Sequence, residues 1–123
     1  MFDCVLPTRN ARNGTVFTRD GRVVLRNAVH QGDFGPLDAG CGCSTCRGTT
    51  RAYLRHLFLS GEMLGPMLAT RHNLHFYADV TREARSAIVR GEFESWRASF
   101  VDRFERGDAS RVRQNEINQR RTS

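Results

Sequence analysis

Cys41, Cys43 and Cys46 fall within six residues of one another, and a histidine follows at position 72. Three soft thiolates and one imidazole form a common tetrahedral set for Zn²⁺. Four protein ligands leave no open position for water, so this pattern predicts one structural zinc rather than a catalytic one. The rival chemistry is a redox-active Cys-x-x-Cys pair, which would need neither the third cysteine nor His72. Gly40 and Gly42 are expected to let the backbone fold tightly enough for the sulfurs to converge. His75 lies close to His72 and is the one substitute for the fourth ligand. His56 is expected to be a packing or surface residue, and His30 has no evident partner. Cys4 reads as a buried small side chain rather than a ligand.

The elements that must carry these residues follow from the local pattern. Met1 to Leu6 is apolar and β-prone and is closed by Pro7, which predicts a strand. Residues 8 to 14, TRNARNG, read as a polar loop. Thr15 to Thr18 and Arg22 to Arg26 are β-prone runs joined at Asp20-Gly21, a pair that tolerates the positive φ of a tight hairpin turn. Residues 31 to 40 are turn-rich and lead into the cysteines. Arg51 to Ser60 sets Tyr53, Leu54, Leu57 and Phe58 on one helical face, with Gly61 as its stop. A break at Gly65-Pro66 permits a new helix with Pro66 in its first turn. Helical spacing then runs from Arg71 to Arg90, so His72 is expected near a helix start. Phe93, Trp96, Phe100, Val101 and Phe104 mark a last amphipathic helix. Beyond Phe104 the polar, basic end reads as a frayed helix or a disordered tail. These elements divide as 1–35, 36–92 and 93–123. The ordered unit is expected over about Pro36 to Phe104, with a loosely held hairpin in front.

At 123 residues and 39% apolar content, the chain is lean for an independent core. Metal ligation would add folding free energy directly. The formal charge is +6, carried by arginine with no lysine at all. Zinc on three thiolates would lower that to about +5. Such a balance suits an anionic partner, nucleic acid among them, although absent lysine also fits a GC-rich genome. No apolar run is long enough to span a membrane, and no leader is evident. Crowded cysteines beside glycines point to metal in a reducing compartment, hence the cytoplasm.

An ordered set of strings carries a more specific message. MFDCVLPTRNARNG at 1–14, LRNA at 25–28, PLD at 36–38, CGCSTC at 41–46, RAYLRHLF at 51–58 and ATRHNLHFY at 69–77 run in sequence. Together they resemble the carboxy-terminal portion of the tRNA-guanine transglycosylases, bacterial type. The resemblance implies an α/β fold, the end of a (β/α)₈ TIM barrel with an inserted zinc-binding subdomain. It also implies exchange of guanine at the tRNA wobble position, in the anticodon loop, for a 7-deazaguanine such as preQ1. In that family an aspartate attacks the ribose anomeric carbon and holds the RNA covalently until the new base displaces it. Asp3 matches the nucleophile, and a carboxylate can form such a glycosyl intermediate. By residue type alone Asp3 is an ordinary strand-end acid. Arg9 and Arg12 match the family's base-contacting basic loop; by composition alone they are solvated loop arginines. The family further implies a homodimer at the zinc region, for which Tyr53, Leu57 and Phe58 would suit if exposed.

The same resemblance implies what is missing: the earlier barrel strands, the guanine pocket and a second aspartate that acts as general acid/base. The chain alone is therefore expected to do no exchange. A truncated gene, a mis-called start and half of a split enzyme all remain open. The alternative function is a zinc-stabilised basic module that binds RNA or dimerises without catalysis.

Overall fold

The computed structural model describes the backbone over residues 6–122 and side chains over residues 9–108. The strand expected at the amino terminus lies outside these residues, apart from Leu6. The described order is helix α1 (Leu6–Arg12), strands β1 (Thr15–Thr18) and β2 (Gly21–Val24), and a single 3₁₀ turn at Ala28–His30. Helices α2 (Ser44–Gly48), α3 (Arg51–Leu59), α4 (Leu64–Val89) and α5 (Phe93–Thr122) complete it. No helix among the described residues is long and apolar enough to cross a membrane.

The segment expected as a polar loop before the hairpin is the helix α1 instead. Pro7 sits in its first turn, where a missing N–H costs nothing, and Ala11 is fully buried. Burying one small residue against α4 gives a polar heptapeptide the tertiary contact that its composition does not advertise. Gly14, at φ +87°, turns the chain from α1 into β1.

β1 and β2 pair antiparallel with Thr18 opposite Gly21, the hairpin that Asp20-Gly21 predicts. Val16, Thr18, Val23 and Leu25 point to the core. The hairpin is not loosely held. α5 crosses its turn so closely that a Cβ on Gly107 would strike the Asp20 backbone, and one on Gly21 the Asp108 backbone. Arg103 pairs with Asp20 and Arg22 with Asp108 on either side of that crossing. Phe17, Phe76 and Phe100 continue the contact as a run of rings about 6 Å apart. α5 also remains helical to Thr122, well past the last aromatic residue.

α3 opens on Thr50, whose hydroxyl accepts from the Tyr53 N–H. Leu54, Leu57 and Phe58 are buried, whereas Tyr53 is 45% exposed. Of the three side chains expected on a dimer surface, Leu57 and Phe58 are therefore core residues. They pack under Gly65, where an added Cβ would come 3.2 Å from Leu57. The new helix expected with Pro66 in its first turn is α4, but the break before it falls at residues 60–63 rather than at Gly65-Pro66, because both of those residues lie in the first turn, whose backbone donors need no helical partner. α4 therefore starts well before Arg71 and runs as one 26-residue helix.

Candidate metal centre

Two elements bring the four predicted ligands together. The loop before α2 and the first turn of α2 supply the cysteines, and α4 supplies His72 from its middle rather than its start. Their ligand atoms all lie within 4.8 Å of one another. His72 Nδ1 is 3.7 Å from Cys41 Sγ, 3.5 Å from Cys43 Sγ and 3.2 Å from Cys46 Sγ. A tetrahedral zinc with ordinary Zn–S and Zn–N bonds sets sulfur and nitrogen about 3.6 Å apart. The donor set and its spacing fit a four-coordinate metal.

The surroundings prepare these donors. His72 is fully buried, and its Nε2 is 2.7 Å from the Phe17 carbonyl oxygen. Nε2–H donating there leaves Nδ1 as a lone pair aimed at the sulfurs. The Cys43 N–H donates to Cys41 Sγ at 3.5 Å and the Cys46 N–H to Cys43 Sγ at 3.3 Å. Such bonds favour sulfur as thiolate. Burial acts the other way, raising the Cys41 and Cys46 thiols and lowering the His72 imidazole. Three clustered thiolates, two of them buried, would be costly without a cation, and a divalent ion among them reverses that balance. The cysteines are free rather than disulfide-bonded.

Two residues unmarked by sequence reasoning join this centre to the hairpin. Asp38, 6% exposed, accepts from the Arg19 N–H through Oδ2 and from the Gly40 N–H through Oδ1, both at 3.1 Å. Its carbonyl accepts from the Cys41 N–H. The carboxylate thus shapes the cysteine turn, the role expected of Gly40 and Gly42, neither of which has a positive φ. Asn73, fully buried, accepts from the Phe17 N–H at 3.1 Å and donates to the Thr15 carbonyl at 3.2 Å. Leu25 N–H bonds to the Gly14 carbonyl, so ladder alternation turns the polar groups of Thr15 and Phe17 away from β2. Asn73 and His72 therefore close the outer edge of β1 as a neighbouring strand would. The PLD string held Asp38, but a buried Asn beside a ligand leaves no mark in sequence.

The remaining predicted residues are placed as follows. His75 turns to Asp79, with Nε2 3.1 Å from its carboxylate, and is no part of the ligand cluster. His56 is exposed, and buried His30 lies 3.7 Å from the Asp33 carboxylate. Arg9 and Arg12 are exposed on α1. Asp3 and Cys4 lie outside the described residues.

A family model described as queuine tRNA-ribosyltransferase matches residues 1–106. Curated proteins of that name are similar to this chain. The one from Dechloromonas aromatica is 58% identical over 101 residues, 82% of this chain and 27% of its own length. That from Leptothrix cholodnii is 54% identical over 111 residues, 81% of this chain and 28% of its own. One from an Acidovorax species is 52% identical over 120 residues, 87% and 31% of the two chains. The chain thus spans under a third of the length of these relatives.

Proposed function

The chain belongs to the queuine tRNA-ribosyltransferase family, and on that premise we propose that it forms the RNA-facing carboxy-terminal part of a base-exchange enzyme. The reaction is replacement of guanine at the wobble position of tRNA by a 7-deazaguanine base, preQ1 in the bacterial type. The observation that carries this reading is the family match over residues 1–106, which includes Asp3, Arg9, Arg12 and the whole ligand set. Asp3 is the nucleophile: its carboxylate attacks the anomeric carbon as the guanine–ribose bond breaks, giving a covalent aspartyl-ribose. The incoming base then displaces Asp3 and leaves the carboxylate free. Arg9 and Arg12 bind the anticodon loop through phosphates and splayed bases, which their exposure on α1 permits.

The metal is one Zn²⁺ held by Cys41, Cys43, Cys46 and His72, a closed set that supports a structural role. Bound there, zinc neutralises the thiolates and takes no part in the exchange. The fold of the complete enzyme is a (β/α)₈ barrel carrying this unit, and it acts in the cytoplasm as a homodimer. Exposed Tyr53, Leu59, Met63 and Met67 around the α3–α4 turn are apolar side chains that a dimer could cover.

The test is to mix the 123-residue chain with a polypeptide carrying the preceding part of a close relative and follow labelled guanine entering tRNA. Exchange is expected from the mixture, not from the chain alone, and is abolished by Asp3→Asn. Exchange by the chain alone, or full activity in Asp3→Asn, contradicts the proposal.

A further inference from the structure

Many arginines of this chain face a carboxylate. Arg19, Arg22, Arg51, Arg82, Arg90, Arg97, Arg103 and Arg106 each lie within ion-pair distance of one. At the corner where α1 ends and the hairpin opens, the pattern changes. Arg9 and Arg12 share one face of α1 at i,i+3 spacing, and among the described residues neither has a carboxylate partner. The Leu25 N–H bonds to the Gly14 carbonyl at 2.8 Å, which brings the end of β2 against the residues that follow Arg12. Arg26 comes next and is exposed. Its Cγ lies 3.5 Å from where a Gly14 Cβ would stand, and its guanidinium sits 5.7 Å from the centroid of the buried Phe58 ring. It too has no carboxylate partner among the described residues.

We propose that Arg26 is a third RNA-binding arginine, fixed by Phe58 and Gly14 beside Arg9 and Arg12 to take a phosphodiester of the bound RNA. This rests on the RNA-binding reading of Arg9 and Arg12. The physical case is preorganisation. An arginine free in solution loses rotamer freedom when it grips an anion, whereas one already laid across a ring loses less. The Arg26 guanidinium carbon lies over the Phe58 ring, 5.7 Å from its centroid, and the group keeps N–H donors for phosphate oxygens. Gly14 is needed for this arrangement, since its φ of +87° lets the chain turn under the Arg26 side chain. Three positive charges at this corner, without carboxylate partners among the described residues, also supply what a polyanion selects, because each phosphate they neutralise releases condensed counterion.

The experiment uses the zinc-loaded 123-residue chain and a labelled anticodon stem-loop RNA, with binding read by fluorescence anisotropy at several salt concentrations. Arg26→Ala is expected to weaken binding by about threefold to tenfold and to reduce the slope of log affinity against log salt by roughly 1. Arg26→Lys keeps the charge but not the planar guanidinium, and should hold the slope while recovering part of the affinity. Arg85→Ala, at an exposed arginine far along α4, serves as the control and should change neither. Zinc content and melting temperature of each variant report whether the fold is intact. If Arg9→Ala and Arg12→Ala weaken binding while a folded Arg26→Ala does not, Arg26 has no such role and the RNA reading stands. If none of the three variants differs from wild type, the RNA reading of this corner fails and the inference falls with it.

Discussion

Replacing Asn73 by alanine removes an amide that closes the edge of β1. Two of its hydrogen bonds, 3.1 Å from the Phe17 N–H and 3.2 Å to the Thr15 carbonyl, lie at a side chain with no exposed surface. Each such bond contributes about 1 kcal/mol net, and a buried donor or acceptor left unmatched costs about 1–3 kcal/mol. Allowing for partial relaxation, Asn73→Ala should cost about 2–4 kcal/mol. For a chain of this size that lowers the melting temperature by on the order of 10 °C. A second consequence follows from the Phe17 carbonyl, which holds His72 Nε2 at 2.7 Å. A loosened β1 frees the imidazole, so loss of metal to a chelator should speed up about tenfold, the usual scale for losing support around a ligand. Thermal melts of the metal-loaded chain and chelator competition measure both. Asn73→Asp keeps the acceptor for Phe17 but opposes the Thr15 carbonyl with a second acceptor, and should be no better than alanine. A melting point within about 2 °C of wild type, with unchanged metal release, would refute the claim that α4 substitutes for a strand here.

The crossing of α5 over the hairpin turn should tolerate no side chain. Gly107→Ala should cost about 1–3 kcal/mol and raise amide exchange in both β2 and α5, whereas Gly48→Ala, whose Cβ would meet nothing, should not; equal protection in the two variants would count against the crossing. Stability of the metal-free chain should peak between about pH 6.5 and 8.5. Burial raises the Cys41 and Cys46 thiols, so their contribution is intact below the ordinary thiol pKa and is lost as pH rises through the folded value. Burial lowers His72, so its contribution is present above the ordinary histidine pKa and is lost as pH falls through the depressed one. A metal-free melting curve flat from pH 5 to about 10 would contradict both signs.

What the sequence made legible is what depends on residue type and near spacing. The ligand set, the Asp20-Gly21 turn, the Gly61 helix stop and the aromatic seam of α5 are each written into a few adjacent residues. What it hid depends on contacts made far along the chain. α1 is a helix that packs on α4 with Ala11 buried, and no periodicity in TRNARNG announces that partner. Leu57 and Phe58 look like one apolar face with Tyr53, but Gly65 lets the start of α4 cover the first two and leave the third in solvent. The hairpin reads as a detached element because the groups that hold it, Asp38, Asn73 and the backbone at Gly107, are polar or small. Asp3 and its role rest on family resemblance, as its position lies beyond the described residues.

One zinc, bound by three cysteines and one histidine, is expected to organise this chain. Native mass spectrometry with metal analysis, on chain purified under reducing conditions, tests it most directly. The account predicts one zinc per chain, retained in His75→Ala and lost in Cys46→Ser and His72→Ala. A metal-free chain, or a zinc that survives His72→Ala, would contradict it.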